Sequence, residues 1–210
     1  QACNRPMYDD LLAAGLGDLA VLLTNPVNTA RLGEPTRVRD RLVAEWNGNA
    51  KHMSGPGGTG MEVKGFWPIV VPACGAAQVE LVYAEAHTKR LPYEAMPGLY
   101  RTANVALCAS LYEGASNSVM EAMGTGLALI TTDCGNAREM RDSQLEHFGD
   151  TGVVLVERNV AAFVEALNAL KHDLPRVQRM GEINRLEIEA RWSWTACREG
   201  YLAFLRRALS

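Results

Sequence analysis

The stretch 113–139 constrains the fold most, because it runs a polar loop, a helix start, a glycine turn and a strand together without interruption. Two carboxylates, Glu113 and Glu121, stand with seven residues between them. Gly114, Ser116, Asn117 and Ser118 favour turns and N-caps over helix interior, whereas Val119, Met120, Ala122 and Met123 favour helix. A helix is therefore expected to begin near Asn117 or Ser118, followed by Gly124-Thr125-Gly126 and a strand over 127–132. The first amides of such a helix are unpaired and attract anions, phosphate above all. A carboxylate instead accepts hydrogen bonds, which sugar hydroxyls donate. Free amides beside two carboxylates suit a ligand with both phosphates and sugars, such as a nucleotide sugar. A plainer reading stays open: Ser118-x-x-Glu121 is also a capping box, in which Glu121 reaches back to its own helix end.

Around this stretch, strand-like and helix-like patterns alternate. Strands are expected at 19–24, 42–46, 79–84, 105–108 and 152–156 in addition to 127–132. Helices are expected at 8–14, 66–77 with Pro72 as a kink, 161–170, 174–190 and 195–209. Such alternation predicts an α/β fold, a mostly parallel sheet covered by helices on both faces. Ligands of open sheets of this kind bind beyond the carboxyl ends of the strands.

A formal charge of −3 argues against a general nucleic-acid binder. No apolar run reaches the roughly 18 residues of a membrane span, and neither a membrane span nor a signal peptide is expected. Five scattered cysteines without a CxxC pair are expected as reduced, packed thiols of a cytosolic protein. The four histidines show no metal-ligand spacing, so no metal site is expected.

The organising stretch resembles the signature of group 1 glycosyltransferases, the retaining, metal-independent family 4 enzymes of GT-B fold. The matches are Glu113, Gly114, Glu121, Ala122, Met123, Gly126, Ile130, Asp133, Gly135 and Glu139. Ala128 and Asn136 replace the family's proline and second glycine, and both departures touch backbone shape rather than the carboxylates. Asn25-Pro26-Val27-Asn28 resembles the family's interdomain hinge, Trp46-x-Gly48-Asn49 its first C-terminal strand and glycine turn, and Lys64-Gly65 a helix-starting pair. The resemblance covers residues 20–208 and implies a Rossmann-like donor domain, the C-terminal half of a GT-B enzyme. It divides the chain into a hinge and remnant of a missing N-terminal acceptor domain at 1–34, a nucleotide-sugar-binding domain at 35–190, and a C-terminal helix at 191–210. That helix would cross back to the N-terminal domain, so its apolar face should be exposed or paired with another chain.

The resemblance also implies roles. Glu113 would lie near the donor sugar and favour charge developing at the anomeric carbon. Glu121 would accept hydrogen bonds from the ribose. Lys64, with the amides around Gly114, Ser116, Asn117 and Ser118, would hold the diphosphate. Gly48, Asn49 and Lys51 would form the phosphate-side turn, although Asn49 stands where the family has arginine. Arg90 and Leu91 would lie near the base. The substrate implied is a UDP- or GDP-linked sugar, with a hexose passed to a glycan, lipid or small-molecule acceptor. No cofactor is implied, and the full enzyme would be cytoplasmic or peripheral at the inner membrane face. The half alone is expected to transfer little.

Two rivals follow from the same letters. Gly55-x-Gly57-x-x-Gly60, with Glu80 about 20 residues on, satisfies a dinucleotide fingerprint and points to an NAD-type oxidoreductase. Its glycines do not directly follow a strand, as a fingerprint requires, and the run 54–60 also reads as a mobile insert. The other rival is a non-catalytic binding domain of the same fold.

Overall fold

The computed structural model describes residues 2–17, 20–36, 38, 40–51 and 62–209. The fingerprint glycines Gly55, Gly57 and Gly60, together with Leu19 and Arg37, lie outside the described residues.

The described chain begins with α1 (Arg5–Ala13), capped by Asn4, whose side chain accepts the Met7 amide. The short α2 (Thr29–Leu32) precedes β1 (Val43–Gly48). A π-helical turn (Phe66–Val70) runs directly into α3 (Val71–Ala77), with Pro72 in the first turn after the junction. There follow β2 (Glu80–Glu85), α4 (Met96–Tyr100), β3 (Val105–Cys108), α5 (Asn117–Gly124), β4 (Ala128–Thr132), α6 (Ala137–Phe148) and β5 (Val153–Val156). The chain closes with α7 (Val160–Lys171), α8 (Leu174–Glu187), a π-helical turn (Ile188–Trp192) and α9 (Trp194–Leu209).

The five strands form one parallel sheet in the order β2-β1-β3-β4-β5. Side chains alternate between its faces. Ala44, Trp46, Val105, Leu107, Ala128 and Ile130 pack against α3 and α7 through Phe66, Cys74, Phe163 and Leu167. Val43, Ala106, Cys108 and Leu129 pack on the other side against Met120 and Met123 of α5 and Met140 of α6. The expected α/β, Rossmann-like layering is the observed one. The order makes β1 and β3 neighbours although β2 lies between them in sequence, so connections leave these two strands in opposite directions. Their carboxyl ends border a crevice at this switch point.

Two departures have physical causes. Residues 20–24 are not a sheet strand: their backbone forms an isolated bridge with Ala2, which donates to the Val21 carbonyl and accepts from the Leu23 amide at 2.8 and 2.9 Å. Helix α6 carries no apolar stripe; it is held through Ala137, Met140 and a buried Gln144. Gln144 accepts from the Gly152 amide and donates to Asn184 Oδ1, both at 2.8 Å, and periodicity cannot register such bonds.

Candidate functional site

The loop from β3 to α5 reaches the switch point carrying Glu113. Glu113 Oε1 accepts Lys64 Nζ at 2.5 Å and Ser110 Oγ at 2.7 Å, and the lysine and glutamate side chains are 22% and 13% exposed. Lys64 is delivered by the backbone of Gly65, at φ +67°, where an added Cβ would lie 2.5 Å from the Ala109 carbonyl oxygen. A second glycine makes the other close approach. Gly135 after β4 has φ +60°, and a Cβ there would lie 2.6 Å from the Gly114 carbonyl oxygen. Both positions admit only glycine without displacing the Glu113 loop.

Helix α5 begins where the residue chemistry asks. Ser116 is its N-cap in extended conformation, without a side-chain cap bond. The Met120 amide makes the bond to the Ser116 carbonyl at 3.0 Å, so the amides of Asn117, Ser118 and Val119 stand at the open end of the helix. Glu121 does not act as a capping-box partner. Its Oε1 accepts Arg31 Nη2 at 2.5 Å and its Oε2 accepts the Tyr100 hydroxyl at 2.9 Å.

Two cavities flank this segment. Glu121, Asn117 and Ser118 line one of about 330 Å³ with Asn28, Asn47, Tyr93, Tyr100 and Trp194. Glu113 lines the other, of about 1120 Å³, with Cys134, Gly135, Glu139 and residues of α1 and α9. The two carboxylates thus serve adjoining spaces, and no residue lines both. Asn4 roofs the loop between them, its Nδ2 donating to the Gly114 carbonyl at 2.8 Å. Glu139 is half-buried there. Burial raises its pKa, opposed by the Arg5 amide and charge.

The remaining sequence-derived candidates line neither cavity. Gly48 ends β1 and accepts the Ala86 amide at 3.0 Å, while Asn49 and Lys51 are exposed and joined by a 3.0 Å bond from the Lys51 amide to Asn49 Oδ1. Arg90 is exposed and Leu91 half-buried just before Pro92, after which Tyr93 and Met96 reach the smaller cavity in their place.

Several side chains that matter here escaped the sequence reading. Glu62 accepts the Phe66 and Trp67 amides at 2.8 and 3.2 Å and so caps the helix that follows Lys64. Glu85 joins the turns after β1 and β2, accepting the amides of Ala50, His87 and Thr88 and the Thr88 hydroxyl. Burial raises its pKa, but these bonds prevail and hold the carboxyl below the usual range. Glu45 in β1 is 2% exposed, with Asn47 Nδ2 donating to it at 2.6 Å. Burial, opposed by that bond and aided by Glu121 and Cys108, pushes its carboxyl up to about 8. The signal available for Glu45 was an acid inside an otherwise apolar strand pattern. Among the described residues, no group of three or more His, Cys, Asp or Glu is arranged to hold a metal, and no helix is long and apolar enough to cross a membrane.

Residues 74–173 match the family model "Glycosyl transferases group 1". The match spans 100 of the 210 residues, just under half of the chain. No curated protein matches the sequence. Among solved structures, HepE from Anabaena in complex with UDP and glucose aligns with a TM-score of 0.74 at 12% identity, over 98% of this chain and 62% of that one. Sucrose-phosphate synthase from Thermosynechococcus elongatus aligns at 0.67 and 15%, over 100% and 58%. The C-terminal domain of the group 1 glycosyl transferase LpcC from Francisella tularensis aligns at 0.58 and 13%, over 80% and 98%. This chain therefore spans about three fifths of the length of the first two. The fold these likenesses show is the Rossmann-like C-terminal half of the GT-B architecture.

Proposed function

We propose that residues 35–190 form the nucleotide-sugar-binding domain of a retaining glycosyltransferase, with 1–34 as hinge and 191–210 as the helix returning to an acceptor domain. One observation carries this reading: the open end of α5 lies between two carboxylates at the switch point, and Glu121 lines a cavity whose volume falls within the range of small-molecule sites. UDP binding by a structure of the same fold adds support.

In this reading Glu121 accepts ribose hydroxyls, and the amides of Asn117 and Ser118 face the diphosphate. Lys64 leaves Glu113 for the diphosphate as the donor binds. Glu113, then held by Ser110 alone, presents its negative charge to the anomeric carbon as the glycosidic bond to phosphate stretches. The amides and Lys64 stabilise the leaving diphosphate. A hexose is passed in this way to a glycan, lipid or small-molecule acceptor bound by the other domain, at the cytoplasmic side.

Titrating the chain with UDP, GDP and NAD in a thermal-shift assay tests the ligand class, since a ligand of the folded state raises apparent stability by mass action. UDP or GDP should raise the melting temperature and NAD should not. Stabilisation by NAD alone would favour the oxidoreductase reading of Gly55 to Gly60. Lys64→Ala should weaken the nucleoside diphosphate about tenfold while changing affinity for the nucleoside by less than about twofold, as loss of one charge-assisted contact implies. Equal losses for both ligands would remove Lys64 from the diphosphate site.

A further inference from the structure

Arg31 lies in the hinge segment, yet its side chain reaches the smaller cavity's walls. Nη2 donates to Glu121 Oε1 at 2.5 Å, Nη1 donates to the Tyr93 carbonyl at 2.7 Å, and the guanidinium lies 3.5 Å above the Tyr93 ring centroid. Glu121 and Tyr93 line the cavity; Arg31 stands behind them. The Arg31 and Glu121 side chains are 16% and 13% exposed, so the pair is only lightly screened. Arg31 Nε is buried without a partner, which leaves the outer nitrogens to carry the arrangement.

The backbone beneath Arg31 is fixed by contacts that do not involve the guanidinium. Leu32 is buried, and a Cβ on Gly124 of α5 would lie 2.6 Å from its Cδ1. The Val27 amide donates to the Trp192 carbonyl at 2.7 Å, and the Trp194 amide donates to the Val27 carbonyl at 3.1 Å. Arg101 Nη1 donates to the Leu32 carbonyl at 3.0 Å. These contacts anchor the segment without drawing on the Arg31 charge.

We propose that Arg31 is a positioning residue of the nucleotide pocket, fixing the Glu121 carboxylate for the ribose and the Tyr93 turn as the facing wall. The inference rests on Glu121 taking ribose hydroxyls. Each carboxylate oxygen has two acceptor directions. Arg31 fills one on Oε1 and Tyr100 fills one on Oε2, which leaves one on each oxygen for the two neighbouring hydroxyls of a ribose. The planar guanidinium holds the carboxylate and the carbonyl on separate nitrogens while stacking on the Tyr93 ring, a geometry that a lysine's point charge does not reproduce. The hinge thereby becomes part of the donor site, because movement of α2 would release both walls together.

The test is calorimetric titration of the full chain with whichever of UDP and GDP binds more tightly, and with its 2′-deoxy form. The proteins are the parent, Arg31→Met, Arg31→Lys, Glu121→Gln and both double variants, each checked by thermal melting. Arg31→Met should weaken the ribonucleotide about tenfold and Arg31→Lys by less, as expected for losing a charge-assisted contact that orients the acceptor. The loss should shrink for the deoxy ligand and nearly vanish in the Glu121→Gln background. A loss of equal size in both backgrounds, or no loss, overturns the positioning role while leaving the nucleotide reading intact. Unchanged affinity in Glu121→Gln alone, or no nucleotide binding by the parent, overturns that reading and the inference with it. Should Arg31→Met fail to fold, Arg31→Lys and its double variant decide by the same comparison.

Discussion

On the proposed function, Glu113→Gln in a chain joined to an acceptor domain is expected to lower the single-turnover rate of sugar transfer by about 100-fold, the scale on which preorganised electrostatic stabilisers act. Affinity for the nucleoside diphosphate should change by less than about threefold. The asymmetry follows from the geometry. Glu113 is held by Ser110 at 2.7 Å and Lys64 at 2.5 Å, and glutamine keeps an oxygen for the serine while losing the charge. Ground-state contacts then largely survive, and Lys64 is freer to meet the diphosphate. What is lost is attraction for positive charge that exists only near the transition state, in a site where both partners are mostly withdrawn from water. The variant should melt within a few degrees of the parent, because its loop stays pinned by Gly135 against the Gly114 carbonyl. An unchanged rate would remove Glu113 from the chemistry and leave a binding domain of the same fold as the better description. A fall in rate matched by an equal fall in nucleotide affinity would place Glu113 in binding alone.

Much of the fold was legible because parallel strands buried on both faces write continuous apolar runs. Strand β3 is observed at 105–108 as expected, and β4, β2 and β5 begin one residue later than their patterns. Helix α5 begins at Asn117, where small polar residues give way to Val119 and Met120. The less legible parts depend on tertiary partners. Residues 20–24 have strand chemistry but no place in the sheet. Gln144 is buried in α6 as though apolar, because Asn184, Thr151 and Gly152 satisfy it from other elements. The same holds at the site. Glu113 and Glu121 are singled out by the resemblance of their stretch, since spacing alone leaves Glu121 open as a capping-box partner, but Arg31 reaches Glu121 from 90 residues away, and no local pattern encodes that pairing. Tyr93, Met96 and Tyr100 line the smaller cavity from the helical turns that follow Pro92, next to the turn where Arg90 and Leu91 were expected. The capping-box alternative could be weighed only once the Glu121 oxygens were seen to be engaged elsewhere.

Glu45→Gln should change how stability depends on pH more than any other single substitution in the sheet. The Glu45 carboxyl is displaced from 4.5 to about 8 by burial, opposed by the Asn47 amide and reinforced by Glu121 and Cys108. Between those two values the folded state holds a proton that the unfolded state has released. Stability must therefore fall as pH rises from about 4.5 through about 8, and level off above it. Each tenfold difference in proton affinity is worth about 1.4 kcal/mol, so the full displacement corresponds to several kcal/mol. Glutamine keeps an oxygen for Asn47 Nδ2 and carries no charge at any pH, so it should abolish this slope. At pH 5 the two proteins should differ by less than about 1 kcal/mol, as near-isosteric neutral groups do. At pH 8.5 the variant should melt about 10 °C higher, given the few degrees per kcal/mol typical of a chain this size. The parent minus variant difference is the quantity to plot, because histidines and other groups titrate in the same window and cancel in it. Parallel melting curves from pH 5 to pH 9 would mean that Glu45 ionises freely inside the sheet. That would require water or a cation beside β1, where the structure places Asn47, Tyr100 and Cys108.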